Sequence, residues 1–177
     1  IRNCQITLNQ DNYWTATPLN FEFGSTGIML RNTTRSALTS PLSISTAGGR
    51  SDNNQFYGNT ISDVINGFVL GGYNDPSSPY TYYDQNNNIG ILGNGNSINR
   101  FGNDALSGTS RSSGVYAIYQ NSITVTDNTI QSSVGGLEPH SNVLYGVFIS
   151  GPISGNQLQV MSINNNDISL YAHENST

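Results

Sequence analysis

Ile123-Thr-Val-Thr-Asp-Asn-Thr-Ile130 decides the fold, because its pattern returns four more times along the 177 residues. Aligning Ile1 to Ile6 (IRNCQI), Phe56 to Ile61 (FYGNTI), Gly93 to Ile98 (GNGNSI), Val125 to Ile130 (VTDNTI) and Ile163 to Ile168 (INNNDI) produces columns. One mostly apolar column reads Ile1, Phe56, Gly93, Val125, Ile163, and a second reads Ile6, Ile61, Ile98, Ile130, Ile168. These are the expected inward positions of two short strands. Between them stands Asn3, Gly58, Gly95, Asp127 or Asn165, the residue types that enter left-handed backbone at least cost. The next column, Cys4, Asn59, Asn96, Asn128, Asn166, is a ladder of stacked side chains in which each amide can bond its neighbours and the turn backbone.

A second anchor recurs between these copies. Thr26-Gly-Ile-Met-Leu30, Asn66-Gly-Phe-Val-Leu70, Ser113-Gly-Val-Tyr-Ala117 and Tyr145-Gly-Val-Phe-Ile149 each read as a turn glycine followed by a strand. Asn59 to Gly67 is 8 residues and Gly114 to Asn128 is 14, so the shortest circuit permitted is 22 residues. Repeats of that length are the mark of solenoids, in which one unit cannot bury its apolar face alone and stacks on the next.

With the GNTI, GNSI, DNTI and NNDI turns in hand, the chain resembles the right-handed parallel β-helix repeat shared by pectate-lyase-like enzymes, phage tailspikes and large bacterial surface proteins. The fold implied is all-β, a right-handed parallel β-helix (solenoid) of about five coils with long loop insertions. It forms a single domain over 1–177, read as a fragment of a longer solenoid because an uncapped coil exposes apolar side chains and strand edges. The insertions are expected at 9–25, 31–53, 71–88, 101–113 and 132–142. The first coil departs from the pattern by placing Cys4 in the ladder, where it reads as a small buried side chain.

Composition narrows the chemistry. All six cations are Arg and there is no Lys, which removes P-loop, Schiff-base and lysine-base mechanisms. A net charge of −5 argues against a nucleic-acid partner. One cysteine excludes an internal disulfide, and no apolar run is long enough to insert in a membrane. Enrichment in Asn, Ser, Thr, Gly and Tyr is similar to secreted and cell-surface bacterial proteins, including substrates of the type IX system, whose secretion machinery would then be a transient partner.

The resemblance implies that polysaccharide-cleaving relatives cluster acids on an outer sheet. Here the outward columns are Arg2, Tyr57, Asn94, Thr126, Asn164, then Gln5, Thr60, Ser97, Thr129, Asp167, then Thr7, Ser62, Asn99, Gln131, Ser169. Their one Arg and one Asp lie four coils apart, about 19 Å at the spacing of parallel strands. Paired acids for glycoside hydrolysis need roughly 5 to 9.5 Å, and only loop acids such as Asp75, Asp84 and Asp104 can approach that. No catalytic residue, metal site or cofactor is therefore assigned. His140 and His173 read as surface residues, and Asn32-Thr-Thr34 is a glycosylation sequon.

The best ligand candidates are Tyr73, Asp75, Tyr80, Tyr82, Tyr83 and Asp84, since flat rings beside carboxylates can stack on sugars and bond their hydroxyls. An apolar outward stripe, Met29, Val69, Tyr116, Phe148, requires cover from insertions, from self-association or from another protein. The reading favoured is a non-enzymatic, adhesin-type β-helix segment presenting loops to a glycan or surface protein. The alternative is a carbohydrate-active enzyme, either a polysaccharide lyase or hydrolase or a tailspike-like depolymerase.

Overall fold

A computed structural model describes residues 1–9, 24–34, 37–77, 79–102, 111–132, 143–150 and 161–171. Within them the chain is all-β, with a single short 3-10 turn at Ala47–Gly49. The first strands are β1 (Gln5–Thr7) and β2 (Thr26–Arg31), then a hairpin of β3 (Thr33–Thr34) and β4 (Ala37–Pro41). Next come β5 (Gln55–Phe56), β6 (Thr60–Val64), β7 (Asn66–Gly71), β8 (Asp84–Gln85) and β9 (Asn88–Ile89). They are followed by β10 (Ser97–Phe101), β11 (Arg111–Ile118), β12 (Gln120–Asn121), β13 (Thr124–Thr126) and β14 (Thr129–Gln131). The last are β15 (Val143–Ser150), β16 (Ser162–Asn164) and β17 (Asp167–Ser169).

Three parallel sheets account for most of these strands: β1-β6-β10-β14-β17, β2-β7-β11-β15 and β5-β9-β13-β16. The chain meets them always in the order first, second, third, and every return lays one strand beside that of the preceding pass. Parallel neighbours cannot be joined by a tight turn. Each therefore waits for the chain to travel through the other two sheets.

Register makes the columns real. In the first sheet Ile6, Ile61, Ile98, Ile130 and Ile168 are successive partners. In the third, Phe56 pairs with Ile89, Ile89 with Val125 and Val125 with Ile163. The expected column is corrected here, because Ile89 and not Gly93 occupies the third position. Gly90 to Gly95 bulge outward as a small loop in which Ile91 and Asn94 bond each other's backbone, at 3.2 and 2.9 Å. Gly90 and Gly93 supply its left-handed turns, at φ 85° and 74°. Elsewhere one residue makes the bend, at Asn3, Gly58, Asp127 and Asn165, with φ between 52° and 64°.

The core is enclosed by all three sheets. Ile61, Ile98 and Ile130 from the first, Phe68, Val115 and Ala117 from the second, and Phe56, Ile89 and Val125 from the third form one buried cluster. Each large aliphatic among them contributes about 1.5–3 kcal/mol by leaving water. The same columns open at the last pass, where Ile163 and Ile168 are exposed.

The four anchor glycines also differ from expectation. Gly67 lies inside its strand, and Gly27, Gly114 and Gly146 lie in theirs, none in left-handed backbone. What they provide is room for the interior isoleucines. A Cβ on Gly27, Gly114 or Gly146 would overlap Cγ2 of Ile61, Ile130 or Ile168, and one on Gly67 would come within 2.8 Å of Ile98 Cγ2.

The amide column is a continuous ladder. Asn59 donates to Asn96 Oδ1 from its main-chain N–H and from Nδ2, at 3.2 and 2.8 Å. Asn96 does the same to Asn128 at 2.9 and 2.8 Å, and Asn128 to Asn166 at 3.0 and 2.9 Å. Each Nδ2 also reaches back to a carbonyl of the preceding pass, those of Ile1, Phe56, Ile89 and Val125. Cys4 enters only through its N–H, 3.1 Å from Asn59 Oδ1. Contrary to expectation its side chain is exposed, because among the described residues no strand lies beyond β1 to cover it.

The insertions are more ordered than the sequence suggests. The 31–53 stretch holds the hairpin and the 3-10 turn, 71–88 holds β8 and part of β9, and β11 begins at Arg111 inside 101–113. Most of 9–25 and 132–142 lies outside the described residues.

Candidate functional site

The tyrosine-rich stretch leaves the second sheet at Gly71 and returns to strand pairing at Asp84. Asp75 organises it, being buried, with Oδ1 accepting from Ser77 N at 3.2 Å and Ser77 Oγ at 3.3 Å. Its Oδ2 accepts from Tyr82 N at 3.1 Å. This carboxylate closes a loop of its own backbone. Tyr83 is also buried, in edge contact with Tyr119 and tilted against Tyr80, both at 5.6 Å between ring centres. Burial pushes its phenol up to about 12. A ring held on two sides has no free face for a sugar.

Asp84 is fully buried and belongs to a polar network that the sequence reading missed. Its Oδ1 accepts from Ser51 N at 2.8 Å and Asn32 Nδ2 at 3.1 Å, and its Oδ2 from Gln120 Nε2 at 3.4 Å. Every partner is a donor, so the geometry suits a carboxylate, although burial holds its pKa above the usual range. The network continues into a second amide ladder. Asn54 donates to Asn87 Oδ1 from N and Nδ2 at 2.9 and 3.0 Å, and Asn87 Nδ2 donates to Gln120 Oε1 at 2.8 Å. Asn53 and Asn86, just before it, are left-handed at φ 58° and 55°. The signal was available as Asn53-Asn-Gln-Phe56 and Asn86-Asn-Asn-Ile89, a bend residue, an amide and then an inward apolar residue.

Of the six candidate ligand residues, Asp75, Tyr83 and Asp84 thus face inward, whereas Tyr73, Tyr80 and Tyr82 are half-buried. The sequon residue Asn32 is engaged too, donating to Asp84 and accepting from Ser51 Oγ at 3.0 Å.

Three of the four remaining described acids are tied locally. Asp52 takes Arg50 Nε at 2.8 Å and Gln85 N at 2.7 Å. Asp63 is gripped by both Nε and Nη2 of Arg100, whose hydrogen bonds hold its carboxyl below the usual range. Asp127 accepts from Thr126 Oγ1 at 2.8 Å. Asp167 lies on β17 and Arg2 precedes β1, at opposite edges of the first sheet. Among the described residues no group of three His, Cys, Asp or Glu could hold a metal ion. Asp104, Glu138, His140 and His173 lie outside those residues.

The stripe Met29, Val69, Tyr116, Phe148 forms a single column across the second sheet. Tyr116 and Phe148 stack at 5.1 Å and 14°. Cover is uneven, with Val69 1 % and Met29 44 % exposed. No described helix is long and apolar enough to cross a membrane.

Comparison with known proteins yields no significant match to a family model, a curated protein or a solved structure.

Proposed function

We propose that the chain is a stretch of right-handed parallel β-helix serving as a non-enzymatic scaffold of a secreted or cell-surface bacterial protein, presenting loops to glycans or proteins. The observation that carries this reading is the fixed cyclic order in which the chain adds one strand to each of three parallel sheets. Two amide ladders run along that stack. Such an arrangement gives a stiff body whose connections are free to vary. In support, the carboxylates of Asp52, Asp63, Asp75 and Asp84 fasten backbone, amide or arginine groups of the chain itself. Tyr73, Tyr80 and Tyr82 are the ring surfaces left to meet a sugar. Export through a type IX pathway, with its machinery as a transient partner, rests on composition alone.

The test is a glycan array read with the chain and with a Tyr73, Tyr80, Tyr82 triple alanine variant, beside assays for new sugar ends on the same polysaccharides. Binding that vanishes in the variant while its melting curve is kept supports presentation. Release of new reducing or unsaturated ends by the parent chain replaces the scaffold with a carbohydrate-active enzyme.

A further inference from the structure

The sequence contains two Asn-Gly dipeptides, Asn66-Gly67 and Asn94-Gly95, and the fold treats them in opposite ways. Glycine offers its preceding asparagine the least steric shield against attack by the following main-chain nitrogen. Whether attack occurs then depends on access and on freedom of the asparagine.

Asn66 has neither. It is fully buried at the start of β7, and its Oδ1 accepts from Ser113 N and Ser113 Oγ at 3.0 and 3.1 Å. Asn94 has both. It is exposed in the small outward loop, its backbone is bonded to Ile91, and its carboxamide makes no hydrogen bond among the described residues. The Gly95 N–H is likewise without a partner among them, while the Gly95 carbonyl accepts from Gly58 N at 2.9 Å. Gly95 cannot be exchanged for a shielding residue either, since a Cβ there would overlap the Asp127 carbonyl. Packing between neighbouring passes therefore keeps a reactive dipeptide on the surface.

We infer that Asn94 is a site of spontaneous deamidation. Solvent base takes the Gly95 N–H proton and the nitrogen attacks Asn94 Cγ; a C–N bond forms, the bond to the side-chain nitrogen breaks, and that nitrogen takes a proton from water and leaves as ammonia. Water then opens the five-membered imide. Cleavage at the side-chain carbonyl gives aspartate, and cleavage at the main-chain carbonyl gives isoaspartate. Either product adds a negative charge to the small outward loop that follows Ile89. Isoaspartate also inserts a methylene into the main chain two residues before Asn96, whose amide bridges Phe56 and Asn128. The modification thus marks one connection and strains the centre of the ladder.

The experiment is incubation of the native chain in mildly alkaline buffer, followed by peptide mass mapping and enzymatic methylation of isoaspartate. The expected result is exchange of NH₂ for OH at Asn94, at a rate more than about tenfold that at Asn66, whose attack must await local opening of a buried strand. In denaturant the two sites should react at similar rates, and Asn94→Gln should remove the native signal while keeping the parent's melting temperature. Comparable rates at Asn66 and Asn94 in the folded chain, or native isoaspartate undiminished in the Asn94→Gln variant, would overturn the assignment.

Discussion

Asn128 Oδ1 receives two hydrogen bonds from Asn96, one from the main-chain N–H at 2.9 Å and one from Nδ2 at 2.8 Å. Both residues are buried, so no water can replace what either loses. Asn128→Leu would strand these two donors, free the Ile89 carbonyl and remove one of the two bonds to Asn166 Oδ1, the main-chain N–H keeping the other. A buried polar group left unpaired costs about 1–3 kcal/mol. The expected destabilisation is about 2–4 kcal/mol after partial rearrangement, read from the urea midpoint. An unchanged midpoint would show that the ladder adds nothing to stability.

A second expectation concerns space. Gly67→Ala would set a methyl 2.8 Å from Ile98 Cγ2 and into the Gly114 carbonyl, which is backbone of the next strand and cannot swing aside. Overpacking of this kind costs about 1–3 kcal/mol and more where backbone must move. Gly48→Ala is the control, its nearest atom being Thr46 Oγ1 at 3.9 Å. That variant should lie within about 0.5 kcal/mol of the parent in thermal unfolding.

The contrast between these positions also explains what could be read from the sequence. The isoleucine and amide columns were legible because a buried methyl or a ladder amide admits few substitutes, so the same letters recur at the same place. Gly93 was misplaced because the connection from Ile89 to Asn96 holds six residues where Phe56 to Asn59 and Val125 to Asn128 hold two, and its Leu92 is exposed rather than inward. The second ladder was hidden for a related reason. Its third amide is Gln120, whose longer side chain reaches the stack from a different position relative to the following strand, three residues ahead of the buried Ile123. The sugar-stacking reading of Tyr83 and Asp84 failed to foresee their burial because composition alone does not tell a ring that covers the wall from one that faces water.

Among the described residues two carboxylates couple stability to pH in opposite directions. Burial raises Asp84 above its ordinary 3.8, so between that value and its raised folded pKa the folded state holds more protons than the unfolded chain. Stability from this group is full below 3.8 and falls as pH rises through the folded value. Asp63 runs the other way, depressed by its hydrogen bonds to Arg100, so its contribution is present above 3.8 and is lost as pH falls through the lower folded pKa. Arg100 is 42 % exposed, and the pair is worth under about 1 kcal/mol. Urea titrations across mildly acid pH should show stability decreasing with rising pH in the parent. Asp84→Asn should flatten that slope, and Asp63→Asn should leave it in place.

The ladder's first rung supplies the last expectation, one of gain. Every asparagine from Asn59 to Asn128 makes a paired donation, N–H and Nδ2 together, to the oxygen of the next amide. Cys4 makes only the first of these, and its thiol instead lies 3.4 Å from the Arg2 carbonyl. Its bend residue Asn3 already has φ 53°, matching Asp127 and Asn165, so the backbone needs no adjustment to accept an asparagine at the next position. Cys4→Asn should therefore complete the pair to Asn59 Oδ1. A partly exposed hydrogen bond of this sort adds about 0.5–1 kcal/mol. The expected readout is a rise in melting temperature together with slower amide exchange at Asn59 and Thr60, whose N–H donates to the Cys4 carbonyl at 2.8 Å. Cys4→Ser is the companion variant, because it removes the thiol without offering an amide and should give neither effect. Equal behaviour of the two would mean that the edge strand frays before its rung can form.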